Sequence, residues 1–550
     1  MNNHRYTDTY DAIVVGSGAT GGVAAKELSE RGLSVLVLDA GPQLAPDVAA
    51  GSNLGNAARR FRNLFITRQH SYQGLHPGYW KNNPDLFVNE KDNPYTTPSD
   101  QPFYWTRGRQ VGGKSLTWGG ITLRLSDYEF KAASADGYGE DWPISHADLA
   151  PYYDRLERFF QVKGARNGLE QLPDGQYLQP AAFTPAEEYF KTVLSDRRAD
   201  LPMIISRGFS RHQSTPEKPW AASSSIGSSL KAALLTGKVT LQPDAVVSHV
   251  VFDPETRQAR GVAYIHRTNK TTHTVLGQIV ILCASTIESV RILLHSTEHY
   301  QAGGLVNESG LLGRYLTDHI STMSFFTLPS FKQPPQAFEL SGCDSFFVPR
   351  FTNLNRQEES FLRGYGLWGG IQRFDIPNVI RTFGDSAIGF LVGHGEVLPR
   401  YENQVQLNTD VLDAWGIPVP HIACSWSDNE KDMLAHIKRQ IQELVELAGG
   451  HCVRLTELFK FPFYPQSIRQ MEETVMFAAP PGFYIHEVGG ARMGTSPTNS
   501  VLNSYNQCWE SPNLLVVDGA CWPSAGWQNP TLTEMAITAR ACDHIVNTSK

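Results

Sequence analysis

Six residues near the start of the chain, Gly16-Ser17-Gly18-Ala19-Thr20-Gly21, have the types and spacing of a phosphate cradle. They follow the apolar run Tyr10–Val15 and open a helix-like stretch with small residues on one side, Gly22, Ala24 and Ala25, closed by Gly32. In that setting Gly16 allows a tight turn, Gly18 lets the backbone approach a pyrophosphate, and Gly21 lets helix pack close on strand. Gly16, Gly18, Thr20 and Gly21 are the candidate residues on this side. Ser34–Asp39 is a second apolar strand that ends in an acid, where a carboxylate accepts hydrogen bonds from ribose hydroxyls. Asp39 argues against a 2′-phosphate and hence against NADP. The spacing itself does not separate FAD from NAD, and a purely structural glycine turn would share it.

The far end of the chain carries a different set. His486 stands in His486-Glu487-Val488-Gly489-Gly490-Ala491-Arg492-Met493-Gly494, Asp518-Gly519 follows the apolar strand Leu514–Val517, and Asn529-Pro530-Thr531 opens a helix-like run to Val546. A neutral imidazole accepts a proton at working pH. An amide donates to a developing oxyanion but is no base. Each also has a plain structural reading. A chain with 17 histidines satisfies most of them in its core. Asn before Pro at the first helical position is an ordinary helix start.

Strand, helix and second strand up to Asp39 complete a βαβ unit. Leu44–Pro102, rich in Asn, Gly, Pro and aromatics, predicts an extended excursion over the surface. Val239–Gln242, Val246–Phe252 and Gly261–His266 predict strands of a small sheet. Gln278–Ala284 is a fully apolar strand followed by a helix, so the chain returns there to the nucleotide domain. Met323–Leu328, Gly364–Phe374, Ile388–Gly393 and Gln404–Leu407 predict an antiparallel sheet, and Glu430–Ala448 a long amphipathic helix.

Bulk properties narrow the partners. With 550 residues the chain holds more than one domain. A net charge of −7 and mixed charge signs argue against nucleic acid and anionic membrane. Apolar runs are strand-sized, so no membrane span is expected, and Met1–Tyr10 has no hydrophobic signal core, so a cytoplasmic location is expected. Seven scattered cysteines without a CxxC predict reduced thiols and no metal or iron–sulfur site.

The middle segment Arg107-Gly108-Arg109-Gln110-Val111-Gly112-Gly113-Lys114-Ser115-Leu116-Thr117-Trp118-Gly119-Gly120 is glycine-dense and basic. Here the chain resembles the glucose–methanol–choline (GMC) oxidoreductases. Further resemblance lies in Asp141-Trp142-Pro143 with Leu149–Tyr153, in Val280–Leu294, in Gly313–His319 and above all in Asp518–Ile545. Pro94–Pro98, Phe103-Tyr104-Trp105 and Asp127–Tyr153 are most similar to the bacterial pyranose oxidase-like and glycoside 3-oxidase or 3-dehydrogenase members.

The resemblance implies an α/β fold: a Rossmann-like FAD-binding domain interleaved with an α+β substrate domain built on a large antiparallel sheet. The expected segments are 1–48, 100–130, 235–318 and 485–550 for FAD, 131–234 and 319–484 for substrate, and 49–99 for the excursion. It implies FAD, held by the cradle residues, Asp39, Arg109, Gly112, Gly113 and Ser115, with Thr117, Val246 and Ala284 beside them. At the tail it implies Asp518, Gly519, Asn529, Pro530 and Thr531. Thr117 stands where some members carry the histidine that binds flavin covalently, so a non-covalent flavin is expected.

His486 is implied as the base, Asn529 as the group that orients the substrate oxygen, and flavin N5 as the hydride acceptor. His319 and His249 are read as structural. Trp368 and Gln372 are candidate sugar contacts, with sheet packing as their ordinary reading. The implied reaction oxidises a secondary hydroxyl of a pyranose or glycoside, C3 before C2, with oxygen or a quinone- or dye-type acceptor and a possible small partner subunit. The alternatives are a non-sugar alcohol, or a flavin-containing lyase without net redox turnover.

Overall fold

The computed structural model describes residues 9–253, 255–300, 307–374, 376, 378–460, 469, 472, 473 and 479–548. Most of the Met1–Tyr10 stretch read for a signal core lies outside the described residues.

Strands β1 (Thr9–Val15) and β2 (Val35–Leu38) lie parallel, joined through helix α1 (Ala19–Ser29). Every residue of β2 is buried, as expected of a strand covered on both faces. The same sheet takes in β4 (Val239–Gln242), β7 (Thr272–Leu282), β15 (Gln507–Cys508) and β16 (Ser511–Val516), in the order β15-β16-β7-β1-β2-β4. A hairpin of β5 (Ala245–Asp253) and β6 (Gln258–His266) joins it through the first half of β7. The expectation of a small sheet holding Val239–Gln242 is corrected: that segment is the parallel neighbour of β2. It is a half-exposed edge, and its mixed burial hides its membership of a buried sheet.

The parallel strands finish on one line. Val15 stands opposite both Leu38 and Leu282, and Leu282 opposite Val516. Gly16, Asp39, Cys283 and Val517 therefore meet at one edge, the carboxyl edge at which open parallel sheets bind ligands. Helix α2 (Thr286–His299) follows β7, and α4 (Thr531–Thr548) packs on α1 and on the helix His146–Phe160.

A second, antiparallel sheet has the order β14-β8-β11-β10-β9-β3. Its strands are β3 (Ile204–Ile205), β8 (Ile320–Lys332), β9 (Phe346–Val348), β10 (Tyr365–Ile371), β11 (Ser386–Gly395) and β14 (His451–Val453). Helix α3 (Asp428–Leu447) lies across β8 and β11. Glycine in β11 makes room for it: a Cβ at Gly393 would sit 2.2 Å from Ile437 Cγ2. The segment Gln404–Leu407, expected in this sheet, instead belongs to β12 (Gln404–Leu412), which pairs with β13 (Pro418–Ala423) as a separate two-stranded ribbon, exposed or half-buried along most of β12 and half-buried to buried along β13.

Two further expectations change. The predicted extended excursion contains helices at Pro46–Ala50, Asn53–Phe61 and Pro77–Lys81 over a small core of Ala49, Tyr79, Leu86 and Phe87. Pro46 and Pro77 look like breakers in sequence, yet each starts a helix where its missing N–H costs nothing. The helix Ser229–Leu235, which but for Leu235 falls in the span 131–234 expected for substrate, packs on α1, where a Cβ at Gly22 would lie 2.5 Å from Ser229 Oγ.

Candidate active site

A cleft opens along the line of strand ends. Its wall includes Gly16, Gly18 and Thr20 of the β1–α1 turn, Asp39 after β2, Val246 on β5, Ala284 after β7 and Asp518 after β16. The middle glycine segment closes it with Arg109, Gly113, Lys114, Ser115 and Trp118, and Thr531 adds the start of α4.

The three turn glycines do different work. Gly16 has φ +102°, and a Cβ there would meet Cys283 O at 2.2 Å. A Cβ at Gly21 would lie 1.9 Å from Gly16 O, so Gly21 packs helix on turn and stands behind the wall. Gly18 has nothing within 4 Å of a built Cβ, and that open side faces the cleft. Ser17 ties the turn to Asp39: its hydroxyl donates to Asp39 Oδ2 (2.5 Å) and accepts from Gly112 N (2.9 Å). Gly41 N donates to the other carboxylate oxygen (2.9 Å), and burial pushes the Asp39 carboxyl up.

Five more predicted residues lie beside this wall without forming it. Gly112 braces Ser17, and Thr117 donates its hydroxyl to Lys114 O (3.3 Å). A Cβ at Gly519 would strike Thr286 Oγ1 at 2.4 Å, and Pro530 O accepts from Glu534 N (3.0 Å). Asn529 immediately precedes the Pro530-Thr531 corner.

The wall also holds charge that the sequence reading left out. Glu288, Arg291 and Glu534 line it. Arg107 Nε and Arg291 Nη1 are buried donors with no hydrogen-bond partner among the described residues. Burial pushes the Glu288 carboxyl up, but Arg291, Arg109 and Arg107 together hold it down to about 2. Asp518 and Glu534 are pushed up by burial to about 6 and about 8. Unpartnered guanidinium donors, an open glycine and a carboxylate at a strand end fit an anionic dinucleotide.

Beside the Thr531 corner the structure brings His486 and Asn529 together: Asn529 Nδ2 lies 3.4 Å from His486 Nε2. Both are half-buried, and Asn529 Oδ1 has no hydrogen-bond partner among the described residues. The loop carrying His486 is pinned by Asp318, which accepts from His486 N (3.0 Å) and Gly482 N (2.8 Å). Burial and the neighbouring Glu487 push the Asp318 carboxyl up to about 7. Backbone bonds from Gly489, Ala491 and Met493 to Gly519, Ala520 and Cys521 hold the rest of the segment against the strand-end turn.

His319, read as structural, lies against this pair: its Nδ1 is 2.9 Å from His486 Nδ1, and its Nε2 is 2.5 Å from Gly526 O. His394 and Tyr484 complete the cluster, with the Tyr484 hydroxyl bonded to His394 Nε2 and its ring 4.9 Å from that of His486. Antiparallel pairing of β8 with β11 sets Ser321 opposite His394, so His319 arrives two residues before that pair. The Gly313–His319 motif was the sequence signal for Asp318 and His319. For His394, which lies inside an apolar strand, there was none.

Burial, reinforced by His319, His394, Lys114 and His76, pushes the His486 imidazole well below the usual histidine value, so it is neutral at working pH. Trp368 lies near the cluster, 6.4 Å from His394 between ring centres, with its Nε1 buried and unpartnered among the described residues. Gln372 does not serve the site. Its amide spans Ala186 N (3.2 Å) and Lys332 O (2.7 Å), a structural brace. His249 stacks on His299 at 4.1 Å, in a separate cluster.

Models of the GMC oxidoreductase family match residues 10–321 and 399–538. The chain is 26% identical to 2-methyl-1,2-propanediol dehydrogenase of Mycolicibacterium austroafricanum, over 98% of this chain and 95% of that protein. It is 24% identical to a C-glycoside 3-oxidase of Arthrobacter globiformis, over 99% and 96%. The crystal structure of pyridoxine 4-oxidase from Mesorbium loti shares the fold, with a TM-score of 0.65 at 18% identity and 98% and 99% coverage. With both family models matched, a parallel sheet carrying the cleft and an antiparallel sheet beside it, this chain belongs to the GMC oxidoreductases.

Proposed function

We propose that the protein oxidises a secondary hydroxyl of a pyranose or glycoside to a ketone, at C3 before C2, with non-covalent FAD in the strand-end cleft. The observation that carries this reading is the His486–Asn529 pair, 3.4 Å apart beside the start of α4. GMC oxidoreductases are FAD-dependent. When bound, FAD supplies the hydride acceptor. The cradle glycines and Arg107, Arg109 and Arg291 would hold its pyrophosphate end, with Asp39 on the ribose. Thr531 and Asn529 would stand near its ring. Thr117 at the position of the linking histidine supports a non-covalent flavin.

His486, neutral and half-buried, takes the hydroxyl proton at Nε2. Asn529 donates its amide to the oxygen as charge develops there. The positive end of α4 adds to that stabilisation. The antiparallel sheet would form the substrate side. Trp368 Nε1, His394 Nδ1 and Asn529 Oδ1 are buried polar atoms without hydrogen-bond partners among the described residues; the rings of Trp368 and Tyr484 flank His394, and Asn529 stands beside His486. Apolar faces with several open polar atoms suit a hydroxylated ring. A non-sugar alcohol is the second reading, favoured by the similarity to a diol dehydrogenase.

The test is a screen of monosaccharides, glycosides and simple alcohols under oxygen-coupled and dye-coupled conditions, with the carbonyl position assigned by NMR. A 3-keto glycoside supports the proposal. Turnover confined to non-sugar alcohols, or no flavin bleaching with any alcohol, contradicts it.

A further inference from the structure

We propose that His319 is a positioning residue that fixes His486 in the Nδ1–H tautomer and so leaves Nε2 bare toward Asn529 and the substrate. The inference rests on the reading of His486 as base, and it names what holds that base in the right form.

The role of the Gly526 backbone carbonyl admits no choice. Gly526 O only accepts, and it lies 2.5 Å from His319 Nε2, so that nitrogen carries the hydrogen. In neutral His319 the other nitrogen, Nδ1, then carries none. It lies 2.9 Å from His486 Nδ1, and one hydrogen must sit between the two. That hydrogen belongs to His486. Neutral His486 therefore has a bare Nε2, the atom that Asn529 Nδ2 approaches.

The reverse arrangement would put two lone pairs against each other at Gly526 O. It would also place the His486 hydrogen on the wrong atom. A doubly protonated His319 would satisfy both contacts, but burial pushes that imidazole down to about 4. The other titratable groups around His486 are His394, Tyr484, His76 and Lys114, with Asp318 bonded to its backbone. None of them is hydrogen-bonded to His486 Nδ1. When His486 accepts the substrate proton at Nε2, its Nδ1–H keeps its acceptor, and the positive charge is met along the line imidazolium, imidazole, carbonyl.

The experiment uses the full chain with ¹⁵N-labelled histidine, His486 being assigned by its loss in His486→Ala. In the wild type between pH 6 and 8, His486 is expected to show a protonated Nδ1 and an unprotonated Nε2. His319→Leu removes the acceptor, and His319→Asn restores one, since an Asn oxygen falls near the position of Nδ1. The leucine variant is expected to shift His486 toward the Nε2–H form and to slow flavin reduction by about 10²–10⁴. The asparagine variant is expected to recover the tautomer and most of the rate. Finding Nε2 protonated in the wild type overturns the inference, even where the variants fail to fold. An unchanged tautomer in a folded leucine variant overturns it as well. Unimpaired reduction by His486→Ala would overturn the base reading, leaving the wild-type tautomer result to stand or fall separately.

Discussion

Asn529 presents one amide to two tasks: its Nδ2 faces His486, and its Oδ1 is buried without a partner among the described residues. If it stabilises the substrate oxygen, Asn529→Ala should cut the rate of flavin reduction by about 10²–10³, with substrate binding much less affected. Rapid-mixing kinetics at several substrate concentrations separate the two effects, and a variant that loses only affinity would remove Asn529 from the chemistry. Thr117 makes a second prediction at this scale. Its hydroxyl is spent on Lys114 O, and no imidazole stands in its place. Acid precipitation should therefore leave the flavin in the supernatant. Flavin that stays with the precipitate would show a covalent link through another residue.

The turn between β1 and α1 divides its glycines into two kinds, and substitution should tell them apart. A methyl at Gly18 meets nothing within 4 Å on the protein side. Gly18→Ala should fold with near-normal stability yet hold FAD far more weakly, because the methyl enters the ligand's space. A methyl at Gly21 strikes the Gly16 carbonyl at 1.9 Å, so Gly21→Ala should lower the melting temperature of the cofactor-free protein itself. Equal thermal shifts in the two apo-variants would contradict the division.

This turn was legible in sequence because all its determinants lie within some 30 consecutive residues: strand, glycines, helix and the acid at 39. The tail was legible for its residue types and family pattern. The contact between His319 and His486 was not, since it forms where the entry to β8 meets a loop 167 residues later, pinned by the Asp318 carboxylate. Neither propensity nor periodicity reports such a meeting. His394 was hidden for the same reason, its place being set by the register of β8 on β11. The short edge strand β4 and the proline-started helices misled because their local patterns describe exposure, not partnership.

Across the whole molecule, buried ionisable groups set an opposing pair of pH slopes. Burial pushes Asp318, Asp518 and Glu534 up to about 7, 6 and 8. Each keeps a proton in the folded protein that the unfolded chain has already lost. The stability it contributes is full below about pH 4 and drains away as pH rises through the folded value. His70, His76 and His319 run the other way. Burial pushes them down to about 4, the unfolded chain protonates first, and stability falls as pH drops below about 6.5. The cofactor-free protein should melt highest between about pH 6 and 7 and lose stability from 7 to 8. Glu534→Gln should flatten that alkaline slope by up to about 1.4 kcal/mol per pH unit. A wild-type melting temperature that climbs steadily through pH 8 would contradict this assignment.

Most of the molecule serves to bring an imidazole from the tail to the end of a cleft built by the leading strands. Anaerobic mixing of the flavin-loaded protein with its best glycoside, wild type against His486→Ala, measures that placement directly. The wild type should bleach, and the variant, with equal flavin content, should bleach about 10²–10⁴ times more slowly. Equal rates in the two proteins would mean that another group takes the proton.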